Sequence, residues 1–301
     1  MPELLRGGGW LLAVLAAGYA ALCLGMYLLQ GRLVYRPVRG LVANPSEAGL
    51  AYEEVWIPVG GERVHAWYVP APAAKSKEGP GRGTVLFCHG NGGNISHRLE
   101  TLRLLHGLGM HVLLFDYRGY GQSEGSPSEV HTREDALACW GWLLAERGEP
   151  PERIVVMGRS LGGAVAARLA VDAAGRAGPI AAVPIGAGPV TRPVPAGLVL
   201  ESTFTSIADM GARSYPWLPV KPLTRHRYDT RPLLPRVRCP VLVAHSPDDG
   251  TVPWDMGREL FSLAPGPKAF LELSGAHNDG WQLTGEPYRR ALDDFFRAVL
   301  P

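Results

Sequence analysis

Cysteine is scarce in this chain: Cys23, Cys88, Cys139 and Cys239 are the four among 301 residues. None is spaced as a CxxC pair or a zinc half-site, which argues against both a disulfide scaffold and a structural zinc module. Cys88 falls in an apolar run suited to a strand and Cys139 in one suited to a helix, so both read as buried reduced thiols. Charge is thin as well, with 19% Asp, Glu, Lys and Arg and a net charge of +2. Lys and Arg never run beyond two in a row, and so mild a balance argues against a nucleic-acid partner. Internal repeats are absent. One glycine-rich turn, residues 89–94, lacks the Lys-Ser/Thr that a phosphate-binding loop requires.

Long apolar runs are missing too, with one exception at the start. Residues 8–29 carry no charge, and about 20 apolar residues suffice for a helix to cross a bilayer. Trp10 and Tyr27 fall near the two ends, where amphipathic rings settle. The run exceeds a usual signal-peptide core and no A-x-A site closes it. Residues 1–30 are therefore expected to be a single-pass membrane anchor. Arg32, Arg36 and Arg39 follow the run and only Arg6 precedes it, so the positive-inside rule puts the remainder in the cytoplasm. Residues 31–49 read as a linker and 50–301 as one folded domain.

Within that domain, residues 53–58 and 64–69 alternate around Gly60-Gly61, a hairpin signature. Residues 70–83 read as an exposed loop. Apolar strands are expected at 84–88, 111–115, 153–157, 198–200, 240–245 and 268–273. Helices are expected at 96–108, 134–146, 161–173, 256–263 and 288–299. This alternation predicts an α/β fold with a mostly parallel sheet covered on both faces. A Gly/Pro/Ala-rich insertion at 174–197 and an irregular segment at 204–235 break the rhythm, and the second is a candidate cap.

The chemistry centres on Gly158-Arg159-Ser160-Leu161-Gly162. A β-branched strand precedes it and an alanine-rich helix follows, which is the setting of a nucleophile elbow. A serine nucleophile needs a base, and the base needs an orienting carboxylate. At such an elbow they follow the serine in the order acid, then histidine. Two of the nine histidines, His245 and His277, lie beyond residue 235, and His277 follows the last strand in a loop, where ligands meet an open parallel sheet. The acid belongs to the loop after residue 245. Asp248 and Asp249 are both in reach of His277; Asp249 leaves more chain for the return and Asp248 suits a turn or cap. For the developing oxyanion, the N–H groups of Asn91 and Leu161 are the expected donors, because glycines around Asn91 allow close backbone approach. His89 should brace that loop, Arg118 should pair with Asp116 beside it, and Arg159 should pack or orient.

Together, residues 89–94, 116–123, 158–163, 201–204, 245–253 and 275–277 resemble the α/β-hydrolase superfamily, most closely its membrane-anchored Bem46-like group, often placed with serine aminopeptidase-type hydrolases. The resemblance runs from about residue 50 to the C-terminus. It implies the α/β-hydrolase fold and a Ser160, Asp249, His277 triad, with the second aspartate as the acid. Ser246 stands where many relatives carry glycine. The resulting expectation is a serine hydrolase that cleaves a carboxylic ester or thioester of a small-molecule, lipid-like or acylated substrate, without metal or organic cofactor. A serine peptidase is the alternative, and a non-catalytic membrane scaffold on the same fold is a further rival.

Overall fold

In chain order the computed structural model runs α1 (Pro2–Val34), β1 (Arg36–Pro37), β2 (Glu53–Val59), β3 (Glu62–Val69), β4 (Thr84–Cys88), β5 (Gly92–Gly93), α2 (Leu99–Gly107), β6 (His111–Phe115), α3 (Glu129–Ala145), β7 (Ile154–Arg159) and α4 (Leu161–Gly175). It continues with β8 (Gly197–Glu201), α5 (Ile207–Ser214), α6 (Val220–Leu223), β9 (Val241–His245), α7 (Trp254–Leu263), β10 (Lys268–Glu272), α8 (Gly280–Thr284) and α9 (Glu286–Val299). The structure describes residues 2–72, 81–175 and 194–301. Most of the expected loop at 70–83 and of the insertion at 174–197 lies outside the described residues.

Eight strands form one sheet in the order β10-β9-β8-β7-β4-β6-β3-β2. The β2–β3 hairpin and the β3–β6 pair are antiparallel, and all other neighbours are parallel. β4, β8 and β9 are buried along their whole length, which requires helices on both faces. Edge strand β2 instead alternates, with Val55, Ile57 and Val59 inward and Glu54, Trp56 and Pro58 outward. Successive residues of the central strands serve opposite faces. Leu86, Val156 and Leu200 meet Trp140 of α3 and Ala166 and Ala170 of α4. Phe87, Met157 and Val199 meet Leu102 of α2 and Leu292 and Phe296 of α9.

Three boundaries differ from the sequence expectation, each for a local reason. α3 begins at Glu129 rather than 134, because the Ser128 hydroxyl accepts the His131 N–H at 3.0 Å and caps the helix there. The helix expected from 96 divides into a tight 3-10 turn, Ile95–Arg98, and then α2, since the Asn94 side chain captures the Ser96 N–H. Helix α1 runs on to Val34, and the chain after it is tied down instead of trailing as a free linker. β1 pairs in parallel with β5, with Arg36 N–H donating to the Asn91 carbonyl and Val38 N–H to that of Gly93, both at 3.1 Å.

Gly9–Val34 of α1 is long and apolar enough to cross a membrane. Its early face is bare, with Trp10 75% and Leu12 69% exposed. The later turns are docked: the Tyr19 hydroxyl donates to the Trp217 carbonyl at 2.9 Å, and Gln30 Nε2 donates to the Leu223 carbonyl at 2.6 Å. Segment 204–235 holds the short helices α5 and α6 with irregular links, and it is this segment that α1 meets.

Candidate active site

β7 ends at Arg159 and α4 begins at Leu161, so Ser160 alone makes the turn, with φ of 54°. A non-glycine residue held there costs on the order of 1–3 kcal/mol, and three hydrogen bonds hold it. Ser160 N–H donates to the Glu201 carbonyl at 2.9 Å, and the Ser160 carbonyl accepts Thr203 Oγ1 at 2.6 Å and Gly163 N–H at 2.9 Å. Both flanking glycines are steric necessities. A Cβ on Gly158 would sit 2.1 Å from the Gly162 carbonyl oxygen, and one on Gly162 would sit 2.0 Å from that of Cys88.

His277 and Asp249 reach this serine from two separate loops. His277 Nε2 lies 3.0 Å from Ser160 Oγ, and His277 Nδ1 lies 2.7 Å from Asp249 Oδ2. A carboxylate can only accept, so the imidazole proton sits on Nδ1 and Nε2 presents its lone pair to the serine hydroxyl. Asp249 is buried, and its other oxygen accepts the N–H groups of Thr251 and Val252, each at 2.8 Å. Burial acts to raise the Asp249 pKa. The hydrogen bond and charge of His277 and the Val252 and Thr251 amides outweigh it and hold the carboxyl below 3.8. Asp248 is exposed, and its N–H donates to the Ser246 hydroxyl at 3.1 Å. The Ser246 hydroxyl in turn donates to the Gly275 carbonyl, tying the acid loop to the histidine loop; the serine at this departure from the family pattern thus makes a bond that glycine could not. His245, adjacent in sequence, is buried and donates from Nε2 to the Val252 carbonyl at 3.0 Å, so it buttresses the acid loop.

The loop after β4 faces the elbow. An added Cβ on Gly90 would stand 3.6 Å from both the Arg159 carbonyl oxygen and Ser160 Cβ, so the loop passes close to the elbow. Asn91 follows, its carbonyl taken by Arg36 N–H and the Tyr120 hydroxyl and its side chain donating to the Val34 carbonyl at 2.9 Å. Asn91 also lines the cleft, together with Gly90 and Gly92. The Leu161 N–H is the first of α4, where no upstream helical carbonyl can accept it. His89 is buried, and its Nδ1 donates to the Gly90 carbonyl at 2.7 Å, in keeping with a bracing role.

The Arg118–Asp116 pair does not form. Gly119, at φ of 88°, turns Arg118 toward α3, where Asp135 accepts both its N–H and its Nε, at 2.8 and 2.6 Å. Asp116 stays beneath the turn and accepts the Ile95 N–H at 3.0 Å. Sequence spacing could not separate these partners, because Asp135 approaches from a different element. Arg159 does orient: its Nε lies 2.6 Å from Glu201, which also accepts the Tyr288 hydroxyl at 2.6 Å. Glu201 and Thr203 carry motif positions whose bracing of the elbow sequence reasoning left without a role.

Ser160 and His277 open into a cleft of about 800 Å³, within the range that takes a small molecule. Its apolar lining combines Met26, Leu33 and Val34 of α1 with Ile207, Met210 and Leu218 of the 204–235 segment. Among the described residues no three His, Cys, Asp or Glu side chains are grouped to hold a metal ion.

Residues 79–234 match the family described as serine aminopeptidase, S33. The uncharacterized protein Rv2307c of Mycobacterium tuberculosis is 38% identical over 285 residues, covering 94% of this chain and 92% of its own. Lysophosphatidylserine lipase ABHD12 of Macaca fascicularis is 32% identical over 223 residues, which are 69% of this chain and 50% of that protein. The Pyrococcus furiosus esterase Pf2001 has the same fold, with a TM-score of 0.66 at 19% identity over 88% of this chain and 97% of that one. The chain belongs to the S33-like serine aminopeptidase family of the α/β-hydrolase superfamily, as its Bem46-like motifs lead one to expect.

Proposed function

We propose that this protein is a membrane-anchored serine hydrolase that cleaves a carboxylic ester or thioester of a lipid-like or acylated substrate. The observation that carries the proposal is the unbroken relay from Asp249 through His277 to Ser160 at the floor of a partly apolar cleft. His277 Nε2 takes the Ser160 proton as Oγ attacks the carbonyl carbon, and Asp249 stabilises the imidazolium. The N–H groups of Asn91 and Leu161 receive the oxyanion, a contribution on the order of 3–4 kcal/mol per donor. His277 then protonates the departing alcohol or thiol. Water, deprotonated by the same ring, frees the acid and restores Ser160. Each step is carried by side chains and backbone, with no cofactor.

The apolar lining favours an acyl chain. Three apolar lining residues, Met26, Leu33 and Val34, come from α1, so the proposed anchor is also part of the binding surface. Gly9 to Gly25 leaves roughly 25 Å of helix before that lining, somewhat less than the ~30 Å hydrocarbon core. The bilayer would then press the 204–235 segment against the membrane, and the exposed rings of Tyr215 and Trp217 suit that interface. Arg32 in the last turn of α1 and Arg36 and Arg39 beyond it support a cytoplasmic catalytic domain. The name of the lysophosphatidylserine lipase relative supports a lipid-like substrate. An amide substrate is the second reading, favoured by the serine aminopeptidase description of the family.

A fluorophosphonate probe tests the nucleophile: wild type should label and Ser160→Ala should not, and equal labelling would overturn the assignment. p-Nitrophenyl esters of graded chain length, set beside aminoacyl amides, test the substrate. Turnover rising with acyl length is expected, and turnover confined to the amides would transfer the proposal to the peptidase reading.

A further inference from the structure

Between Arg6 and Arg32 the chain carries no charge, yet α1 is not free of the catalytic domain over that length. The 204–235 segment grips it at two levels. At Gln30, Nε2 donates to the Leu223 carbonyl at 2.6 Å and Oε1 accepts the Arg225 N–H at 2.7 Å. At Tyr19, eleven residues nearer the N-terminus, the hydroxyl donates to the Trp217 carbonyl at 2.9 Å. Eleven helical residues rise roughly 16 Å, so residues 217–223 follow α1 for about three turns. A bilayer core takes about 20 residues of helix. Of the windows of that length that exclude both Arg6 and Arg32, the earliest covers 7–26, and it still ends roughly 10 Å past Tyr19. With α1 across the bilayer, the backbone bonded to Tyr19 lies within lipid as well.

Residues 214–220 suit that environment. The run Ser-Tyr-Pro-Trp-Leu-Pro-Val carries no charge, and Tyr215 and Trp217 are 45% and 58% exposed. Non-helical backbone at membrane depth must have its polar groups met by protein. Pro216, Pro219 and Pro222 have no N–H to meet. Most of the other N–H groups are paired: those of Tyr215, Leu218, Val220, Leu223 and Thr224 donate to carbonyls of the same segment at 2.8–3.3 Å. The flanking cations have carboxylate partners, Arg213 in Asp255 and Lys221 in Asp209. Arg225 instead lies 5.2 Å from the Tyr27 ring centroid, a pairing of the kind found at a lipid–water boundary. Tyr215 and Leu218 also line the cleft that holds Ser160. We infer that residues 214–220 form a membrane-inserted tip, which enters the hydrocarbon core beside α1 and opens the cleft to it, so that an ester resident in the bilayer reaches Ser160 without crossing water. The inference rests on the anchor and hydrolase readings above and goes beyond them by putting part of the catalytic domain itself inside the lipid.

The test uses the full chain in phosphatidylcholine vesicles. In a Cys23→Ala background the remaining cysteines, Cys88, Cys139 and Cys239, are buried, and a nitroxide is attached in turn at Leu12→Cys, Trp217→Cys and Ala298→Cys. Leu12 is exposed on α1, and Ala298 is exposed on α9, whose neighbouring Val299 packs at Gly197, the start of β8 and not the end that faces Ser160. Dissolved oxygen, which concentrates in lipid, should relax the labels at 12 and 217, and a water-soluble nickel chelate the label at 298. A label at 217 that follows 298 while 12 stays in lipid overturns the inserted tip and leaves the anchor standing. Labels that all report water remove the anchor reading and the tip with it, and leave the hydrolase reading to the fluorophosphonate result. Activity supplies the second arm. Trp217→Asp carries a charge into lipid and should lower kcat/KM on a long-chain diacylglycerol in the same vesicles roughly 10- to 100-fold, with p-nitrophenyl acetate within about twofold. Trp217→Phe should match wild type on both. Equal loss on both esters in Trp217→Asp would make Trp217 a support of the fold and overturn the entry from lipid. A wild type that turns over neither ester while the label at 217 reports lipid would remove the hydrolase reading and keep the tip.

Discussion

Asp249→Asn separates the chemical role of the acid from its structural one. The native carboxylate divides its work: one oxygen accepts the Thr251 and Val252 N–H groups at 2.8 Å each, and the other accepts His277 Nδ1–H at 2.7 Å. Asparagine retains a single oxygen, so it must choose. Turning the NH2 toward the two amides sets donors against donors in a buried site, at about 1–3 kcal/mol for each group left unmet. Turning the oxygen toward the amides keeps both bonds and puts the NH2 against His277. The second arrangement wins, and it forces Nδ1 to accept. The ring proton then moves to Nε2, which faces Ser160 Oγ at 3.0 Å as a donor and can no longer take its proton. Such a tautomer error lowers kcat by about 10⁴-fold, close to 5 kcal/mol at about 1.4 kcal/mol per tenfold. Stability should fall far less, by about 1–3 kcal/mol. Initial rates on a p-nitrophenyl acyl ester and a thermal melt read the two effects separately. Asp248→Asn, at an exposed position, should leave the rate within about twofold, as surface changes do. An Asp249→Asn protein that melts normally yet keeps a tenth of wild-type kcat would refute the reasoning, and so would a collapse of activity in Asp248→Asn.

The elbow glycines make a second prediction. In Gly162→Ala the new methyl would sit 2.0 Å from the Cys88 carbonyl oxygen and 2.5 Å from that of His89; backbone cannot swing aside, so the melt should fall by at least the 1–3 kcal/mol typical of overpacking. Gly107→Ala meets nothing within 4 Å and should melt at or above wild type; equal melts for the two variants would contradict the steric argument. pH supplies a third. The Asp249 pKa is depressed on folding, so the stability it contributes is complete above the unfolded value near 3.9 and is lost only as pH falls through the lower folded value. Between about pH 5 and 9 a kcat/KM profile should therefore carry no step that Asp249→Asn abolishes while leaving the imidazole step in place. Finding one would mean that Asp249 titrates well above its expected range.

Much of the architecture was readable because its signals are local. The apolar runs at 84–88, 111–115 and 241–245 are too short for helices and flanked by turn residues, and each is a strand of the sheet. The elbow was readable for a steric reason, since only glycine at 158 and 162 admits the backbone contacts found there. Asp249 and His277 were reachable by chain order; the longer return loop favoured Asp249 over Asp248, and the family resemblance pointed the same way. What stayed hidden came from partners distant in sequence. Arg118 finds Asp135 because Gly119 redirects it, and Ser246 finds Gly275 across two loops. Neither leaves a mark in residue spacing.

The cleft itself is the clearest case of such hidden assembly. Its lining joins Met26 and Leu33 to Met210 and Leu218, almost two hundred residues downstream, and also brings together Arg36, Arg98 and Arg159. Read alone, residues 8–29 are an expected anchor, 204–235 a candidate cap and 89–94 a glycine-rich turn. Contact between them changes what each can do. Tyr19 and Gln30 fasten α1 to the carbonyls of Trp217 and Leu223, so the helix cannot leave the 204–235 segment without breaking those bonds. β1, which directly follows α1, pairs with the glycines beside Asn91. Helix α1, the apolar lining and the Asn91 loop are thereby coupled along one stretch of chain. Removing α1 would accordingly do more than remove the proposed anchor: it would strip part of the proposed acyl-chain site and unpin the loop that carries the proposed oxyanion donor. Activity on long-chain esters should then fall more steeply than activity on short ones, which need only the loop.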